Sequence, residues 1–335
     1  MLYSNIPGID KPVSRLVQGT MWIDSKALDT AFAVFDAFYA AGGNCLDTAH
    51  LYGDGDNERA VGQWINERGL RDEIVILGKG AHQSEDRKRV TPYDIQSDLH
   101  DSLARFKVDS IDLYVLHKDD PEKPVGPIVE TLHAAKEAGQ IDAYGGSSWS
   151  AERLQEANEY AAAKGLTPFV VSSPQFSLAV QIEPPWPDCI SVSGPAGEAA
   201  RAWCRENGVT LFVWSSLAGG FFSGRFRRDN LDTFTDSYDQ LAVKVYCEEG
   251  NFQRHDRVQE LAADKGVTVP HIALAYVYNQ PGGIHALSGA RTADEVHVNV
   301  EASEIELSEE EIAYLELKGC AIEDGAGEGN RMESP

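Results

Sequence analysis

Four side chains in the first half of the chain could run proton chemistry if folding brought them together: Asp47, Tyr52, Lys79 and His117. A phenol with its ordinary pKa of about 10 is a poor acid at neutral pH, and a nearby ammonium lowers that value by stabilising the phenolate. Lys79 is therefore expected to activate Tyr52, Asp47 to hold Lys79 charged and in place, and His117 to bond a substrate oxygen or pass a proton to Tyr52. Such a set protonates a carbonyl oxygen. None of the four carries electrons, so a reduction would need a hydride source beside them. Singly, each has an ordinary reading: a loop cap, a rim aromatic, a solvated strand end and a satisfied core histidine. Only convergence makes chemistry of them.

Convergence depends on the elements that carry them. Short apolar or β-branched runs occur at 16–21, 44–47, 74–78, 111–116, 142–146, 169–172, 210–214 and 284–287. Amphipathic helical stretches lie between them, with Phe32, Phe35 and Phe38 on one face and Ile128, Leu132 and Ala135 on another. A further helix is expected over 58–68, opened by Asp56 or Asn57 as N-cap. Eight strand-then-helix units with near-continuous apolar strands predict one parallel (β/α)8 TIM barrel over residues 1–320, whose ligands sit at the C-terminal ends of the strands. Asp47 and Tyr52 follow the second strand, Lys79 the third and His117 the fourth, so the four groups meet at one patch of the mouth. The lead-in 1–14 reads as a turn-rich segment or hairpin. Two long interruptions, 183–195 and 218–250, are expected lids or clasps, with the role of the second left open. The polar tail 321–335 is expected to be mobile.

Composition narrows the partners. With 29 basic and 53 acidic residues the formal charge is −24, which repels nucleic acid and anionic lipid headgroups. There is neither an 18-residue apolar run nor a basic start followed by an apolar core, so the expectation is a soluble cytoplasmic protein without a membrane span or signal peptide. Cys45, Cys189, Cys204, Cys247 and Cys320 form an odd, scattered set, arguing against a disulfide frame or a structural zinc site; Cys45 reads as a core residue. No metal is expected.

The stretch Leu46-Asp47-Thr48-Ala49-His50-Leu51-Tyr52-Gly53, a lysine ending the next strand and Leu116-His117 ending the one after resemble the aldo-keto reductases. The resemblance runs from about residue 16 to residue 299. It implies reduction of an aldehyde or ketone by NADP(H) or NAD(H), with Asp47, Tyr52, Lys79 and His117 as the catalytic tetrad and Tyr52 as general acid. It also implies cofactor contacts from Thr20, Met21 and Asp47, and from Ser147, Ser148 and Gln175 at the nicotinamide carboxamide. Trp214 would stack on the nicotinamide ring, with Ser215, Leu217 and Gly219 along the pyrophosphate and Gly289, Arg291, Glu295 and Asn299 at the adenosine end. Ser148 stands where the family usually has asparagine, and Glu295 where many NADP-preferring members have arginine; Arg291 pulls the other way, leaving both cofactors open. Gly53 and Gly55 lack the third glycine of a dinucleotide fingerprint and read as a turn.

Trp22, His82, Trp149, Trp186, Phe221 and Phe222 are expected to wall a substrate pocket, and Lys118, Asp119 and Asp120 to bond a neutral, sugar-like carbonyl. The partner is a small-molecule carbonyl or alcohol; the oligomeric state stays open. Two alternatives remain: a cofactor-binding redox-sensing subunit, and an aldolase-like lyase forming a Schiff base on Lys79.

Overall fold

The computed structural model describes residues 1–318; the 321–335 tail lies outside the described residues. An antiparallel hairpin, β1 (Tyr3–Ser4) and β2 (Val13–Ser14), precedes eight parallel strands. These are β3 (Leu16–Gly19), β4 (Cys45–Asp47), β5 (Val75–Gly80), β6 (Ile111–Leu116), β7 (Ile141–Ser147), β8 (Val171–Ser173), β9 (Thr210–Val213) and β10 (His285–Ser288). Each pairs with the next, and β10 closes on β3. The barrel expected from eight apolar runs is present, and the lead-in is a hairpin.

Successive side chains in a strand face opposite sides, and that alternation sorts the core into two layers. Val17, Cys45, Val75, Leu77, Leu113, Val115, Ala143, Val171, Phe212 and Leu287 fill the barrel interior, joined from the hairpin segment by Ile6, Ile9 and Val13. Alternate residues such as Leu46, Ile76, Tyr114 and Tyr144 face outward to the helical layer. Extending the inward series one step toward the C-terminal ends gives Asp47 after Cys45, Lys79 after Leu77 and His117 after Val115. It also gives Ser173 and Trp214, and Ser147 one step further along β7. Strand parity alone therefore aims the candidate residues into one mouth.

The outer layer comprises α1 (Leu28–Ala40), α2 (Asp56–Arg68), α3 (Pro92–Phe106), α4 (Val125–Glu137), α5 (Ala151–Lys164), α6 (Glu198–Glu206), α7 (Ser237–Tyr246), α8 (Glu249–Lys265), α9 (Val269–Tyr278), α10 (Ala293–Glu301) and α11 (Glu309–Leu315). Phe35 and Phe38 of α1 are fully buried, as are Ile128 and Leu132 of α4, which the three- and four-residue steps predict. The expected start of α2 is corrected. Gly55, left-handed at φ +90°, is its cap, while Asp56 is its first residue and Asn57 is buried, donating its amide to the Thr20 carbonyl at 2.7 Å. The 218–250 interruption is largely ordered into helical turns and α7, and residue 191 of the other returns to pair with Gln175.

Candidate active site

Asp47 at the end of β4 and Lys79 near the end of β5 are buried and hydrogen-bonded ammonium to carboxylate, and Lys79 Nζ also donates to the Thr48 carbonyl at 3.2 Å. The same Nζ lies 5.2 Å from the centre of the Tyr52 ring. The His117 ring stands edge to face with Tyr52 at 5.8 Å and with His82 at 5.0 Å. Three adjacent strands thus bring all four groups together, with His82 beside them.

Tyr52 is five residues past its strand, so a turn must return it to the mouth. Gly53, Asp54 and Gly55 all have positive φ, a run that residues with a β-carbon adopt only at a cost. A β-carbon on Gly55 would lie 2.5 Å from the Arg105 guanidinium. That guanidinium pins the turn from behind, donating to the His50 carbonyl and to the buried Glu58 carboxylate, both at 2.8 Å. Gly55→Ala is expected to lose about 1–2 kcal/mol of stability and to lower kcat by displacing Tyr52, read by thermal unfolding beside steady-state rates.

Electrostatics correct one expectation. Burial pushes the Tyr52 phenol above its ordinary value, and the Lys79 ammonium, pulling down, only partly offsets it. The hydroxyl therefore holds its proton. Burial opposes the Lys79 charge, but Asp47 and Tyr52 together carry the ammonium above its ordinary range. Burial also raises the Asp47 carboxyl, yet a carboxylate in contact with an ammonium stays ionised well below the lysine's range, so the pair is charged at neutral pH. Burial, then Lys79, His82 and Lys118, push His117 well below its ordinary value. A neutral imidazole donates a hydrogen bond from one nitrogen and is a poor proton store, which favours the oxygen-bonding role for His117 over the relay.

In the second half, Ser147 donates to the Ser173 carbonyl at 2.8 Å, and Ser148 is left-handed at φ +57°, a conformation asparagine takes more readily than serine. Gln175 is fully buried, accepting from Ser191 at 2.6 Å and Ser193 at 3.1 Å and donating to Ser177 at 3.1 Å, which leaves one amide hydrogen. Trp214 is half-buried with the exposed Trp186 ring 6.2 Å away. Trp22 donates to the Gly19 carbonyl, and Thr20 is buried beside the exposed Met21. Beyond Trp214, Ser215 and Gly219 turn left-handed, Leu217 packs on the core, and a β-carbon on Gly289 would lie 3.5 Å from the Trp22 ring. Asn299 donates to Ser288 at 2.8 Å, and the Glu295 carboxylate accepts the Arg291 backbone N–H at 2.7 Å at the start of α10.

Burial and pairing count against several pocket expectations. Trp149 is buried against Phe169, its indole donating to the Lys118 carbonyl; Phe221 and Phe222 are buried with His255 and Phe252. All three belong to the outer hydrophobic core. Lys118 donates to the Pro187 carbonyl at 2.7 Å and to Cys189 Sγ at 3.1 Å, and Asp119 is paired with Arg153 at 3.2 Å, so neither faces a ligand freely. Their partners lie too far along the chain for local pattern to reveal. Tyr238 of α7, which no motif marks, is the last and smallest of the influences on the Tyr52 phenol. Two surface clefts, one lined by Arg87, Lys88 and Lys123 and the other by Ser148, Arg153 and Cys189, are lined by none of the four residues.

Comparison with known proteins places the whole chain. The family model described as the Aldo/keto reductase family matches residues 15–319. The chain belongs to that family. A putative aryl-alcohol dehydrogenase of Saccharomyces cerevisiae is 29% identical over 89% of this chain and 80% of its own length. An aryl-alcohol dehydrogenase of Phanerodontia chrysosporium, named for NADP+, is 25% identical over 92% of this chain and 83% of its own. The solved glycerol dehydrogenase of Gluconobacter oxydans superposes with a TM-score of 0.77 at 24% identity, covering 93% of both chains, and shares the fold. This aldo/keto reductase is an NAD(P)-dependent oxidoreductase. Its residues fit a nicotinamide dinucleotide: Trp214 offers a π face, left-handed Gly219 and Gly220 bring backbone close to a ligand, and the start of α10 offers N–H groups. Among the described residues no helix is long and apolar enough to cross a membrane.

Proposed function

We propose that the protein reduces aromatic aldehydes or ketones, with Tyr52 as general acid. The observation that carries this reading is the buried, charged Lys79–Asp47 pair held 5.2 Å from the centre of the Tyr52 ring. The cofactor, when bound, supplies a hydride to the carbonyl carbon. Tyr52 gives its hydroxyl proton to the carbonyl oxygen, and Lys79 stabilises the phenolate left behind. His117, uncharged, donates a hydrogen bond to the same oxygen and orients the carbonyl. A lysine kept protonated is a poor Schiff-base nucleophile, which disfavours the lyase alternative. The sugar-like substrate loses its motivation with Asp119 neutralised by Arg153. Support for an aromatic one comes from the relatives' names and from the exposed Met21, Leu51 and Trp186 on loops at the mouth. The test is consumption of reduced nicotinamide with a panel of aryl, alkyl and sugar aldehydes. Tight cofactor binding with no turnover of any of them would instead favour a sensor.

The reading extends to the cofactor. With its carboxylate on the Arg291 N–H, Glu295 puts negative charge at the helix start where a 2′-phosphate would bind, and so favours NAD(H) despite the NADP+ in one relative's name. Glu295→Gln, which keeps an acceptor for that N–H, is expected to improve NADPH affinity relative to NADH about tenfold. Quenching of tryptophan fluorescence by the two nucleotides measures the ratio; no change would remove Glu295 from the argument.

A further inference from the structure

Nine large apolar side chains are exposed among the described residues, and six of them, Met21, Leu51, Tyr93, Ile182, Trp186 and Tyr238, lie on segments that follow the C-terminal ends of barrel strands. Scattered exposed apolar groups need no explanation, but a convergent set around a polar centre marks a binding surface. Two of them are held on helices, Tyr93 at the start of α3 and Tyr238 at the start of α7, and of these two helices only α7 packs on the glycine turn after β9. The place of Tyr238 is set by α7, whose residues Tyr238, Ala242 and Tyr246 follow at four-residue steps along one face. At the lower end of that face the Tyr246 hydroxyl accepts from Gln181 at 3.1 Å. In the middle, a β-carbon on Gly219 would lie 3.6 Å from that of Ala242 and 3.4 Å from the Tyr246 ring. The helix thus lies along the glycine turn at the mouth. Its upper end is fixed by Asp236, which accepts the N–H groups of Tyr238 and Asp239 at 2.9 and 3.3 Å, and by the paired bonds of Arg225 to Asp239 at 2.8 and 3.1 Å. The Tyr238 ring, 53% exposed, is presented at the rim on the helix that flanks the glycine turn after β9.

We infer that Tyr238 is a specificity-determining residue, the aromatic face supplied by α7 against which the ring of an aryl carbonyl packs while Tyr52 addresses its oxygen. This rests on the carbonyl-reductase reading above and assigns the 218–250 segment a task in substrate choice. A phenol ring on a fixed backbone costs little side-chain entropy to order and gains offset or edge-on contact with a planar ligand. A small alkyl aldehyde, with no ring, gains nothing from it.

The experiment compares kcat/KM for benzaldehyde and propanal in the full-length wild type, Tyr238→Ala and Tyr238→Phe. In Tyr238→Ala the benzaldehyde-to-propanal ratio is expected to fall about tenfold, carried by KM. Tyr238→Phe, which keeps the ring, should hold the ratio within about twofold of wild type. A ratio unmoved in Tyr238→Ala, or lost as fully in Tyr238→Phe, overturns the assignment. Wild type that turns over neither aldehyde overturns the carbonyl-reductase reading instead, so the two failures are distinct.

Discussion

Replacing Tyr52 with phenylalanine is expected to lower kcat for carbonyl reduction by about 10²–10⁴-fold, the usual worth of a positioned proton donor, while the Kd for reduced nicotinamide stays where it is. The ring remains, so its edge contact with His117 survives, and Lys79 keeps its bond to Asp47. What disappears is the one proton aimed at the oxygen. The pH dependence follows with a definite sign. The acid form of Tyr52 is the active one for reduction, and burial raises its pKa above the ordinary value of about 10. Reduction should therefore run level through neutral and mildly alkaline pH and decline only beyond about pH 10. Alcohol oxidation, which needs the phenolate, should climb over that same alkaline range. A kcat/KM profile for reduction that breaks near neutrality would mean that Lys79 dominates burial after all.

The barrel and the convergence of the four groups at its mouth were legible for the same physical reason. Parallel strands covered on both faces read as short apolar runs, and a polar residue ending such a run has few places to go but the mouth. Asp47, Lys79 and His117 announce themselves that way. Tyr52 does so less directly, through the glycine turn that follows it. The balance of forces on its proton was not legible, because Lys79 is a sequence feature whereas burial is a property of the packed mouth. Asp119 failed for a related reason: its neutralising partner, Arg153, comes from a helix 34 residues on. Trp149 and Phe221 are aromatic in the right loops, but type does not reveal which side of a loop faces the cavity. Tyr238 sits in a stretch without barrel periodicity, and only the packing of α7 gives it a position.

The Lys79–Asp47 pair separates stability from chemistry. Lys79→Met strands a carboxylate in the core, which is expected to cost about 3–5 kcal/mol of folding stability, the usual penalty for halving a buried ion pair. It also removes the charge that steadies the Tyr52 phenolate, so kcat should fall by at least about 10²-fold and the alkaline decline should move to still higher pH. Asp47→Leu in the same chain removes the stranded charge. An apolar pair of similar volume in place of a buried ion pair is often neutral or stabilising, so the double variant should regain most of the lost stability in urea unfolding while its turnover stays low. Recovery of both would assign the pair a purely structural role. Recovery of stability alone would make the ammonium a chemical necessity that the fold tolerates and does not require, which is what a charge pair buried against a phenol at the end of an otherwise apolar barrel implies.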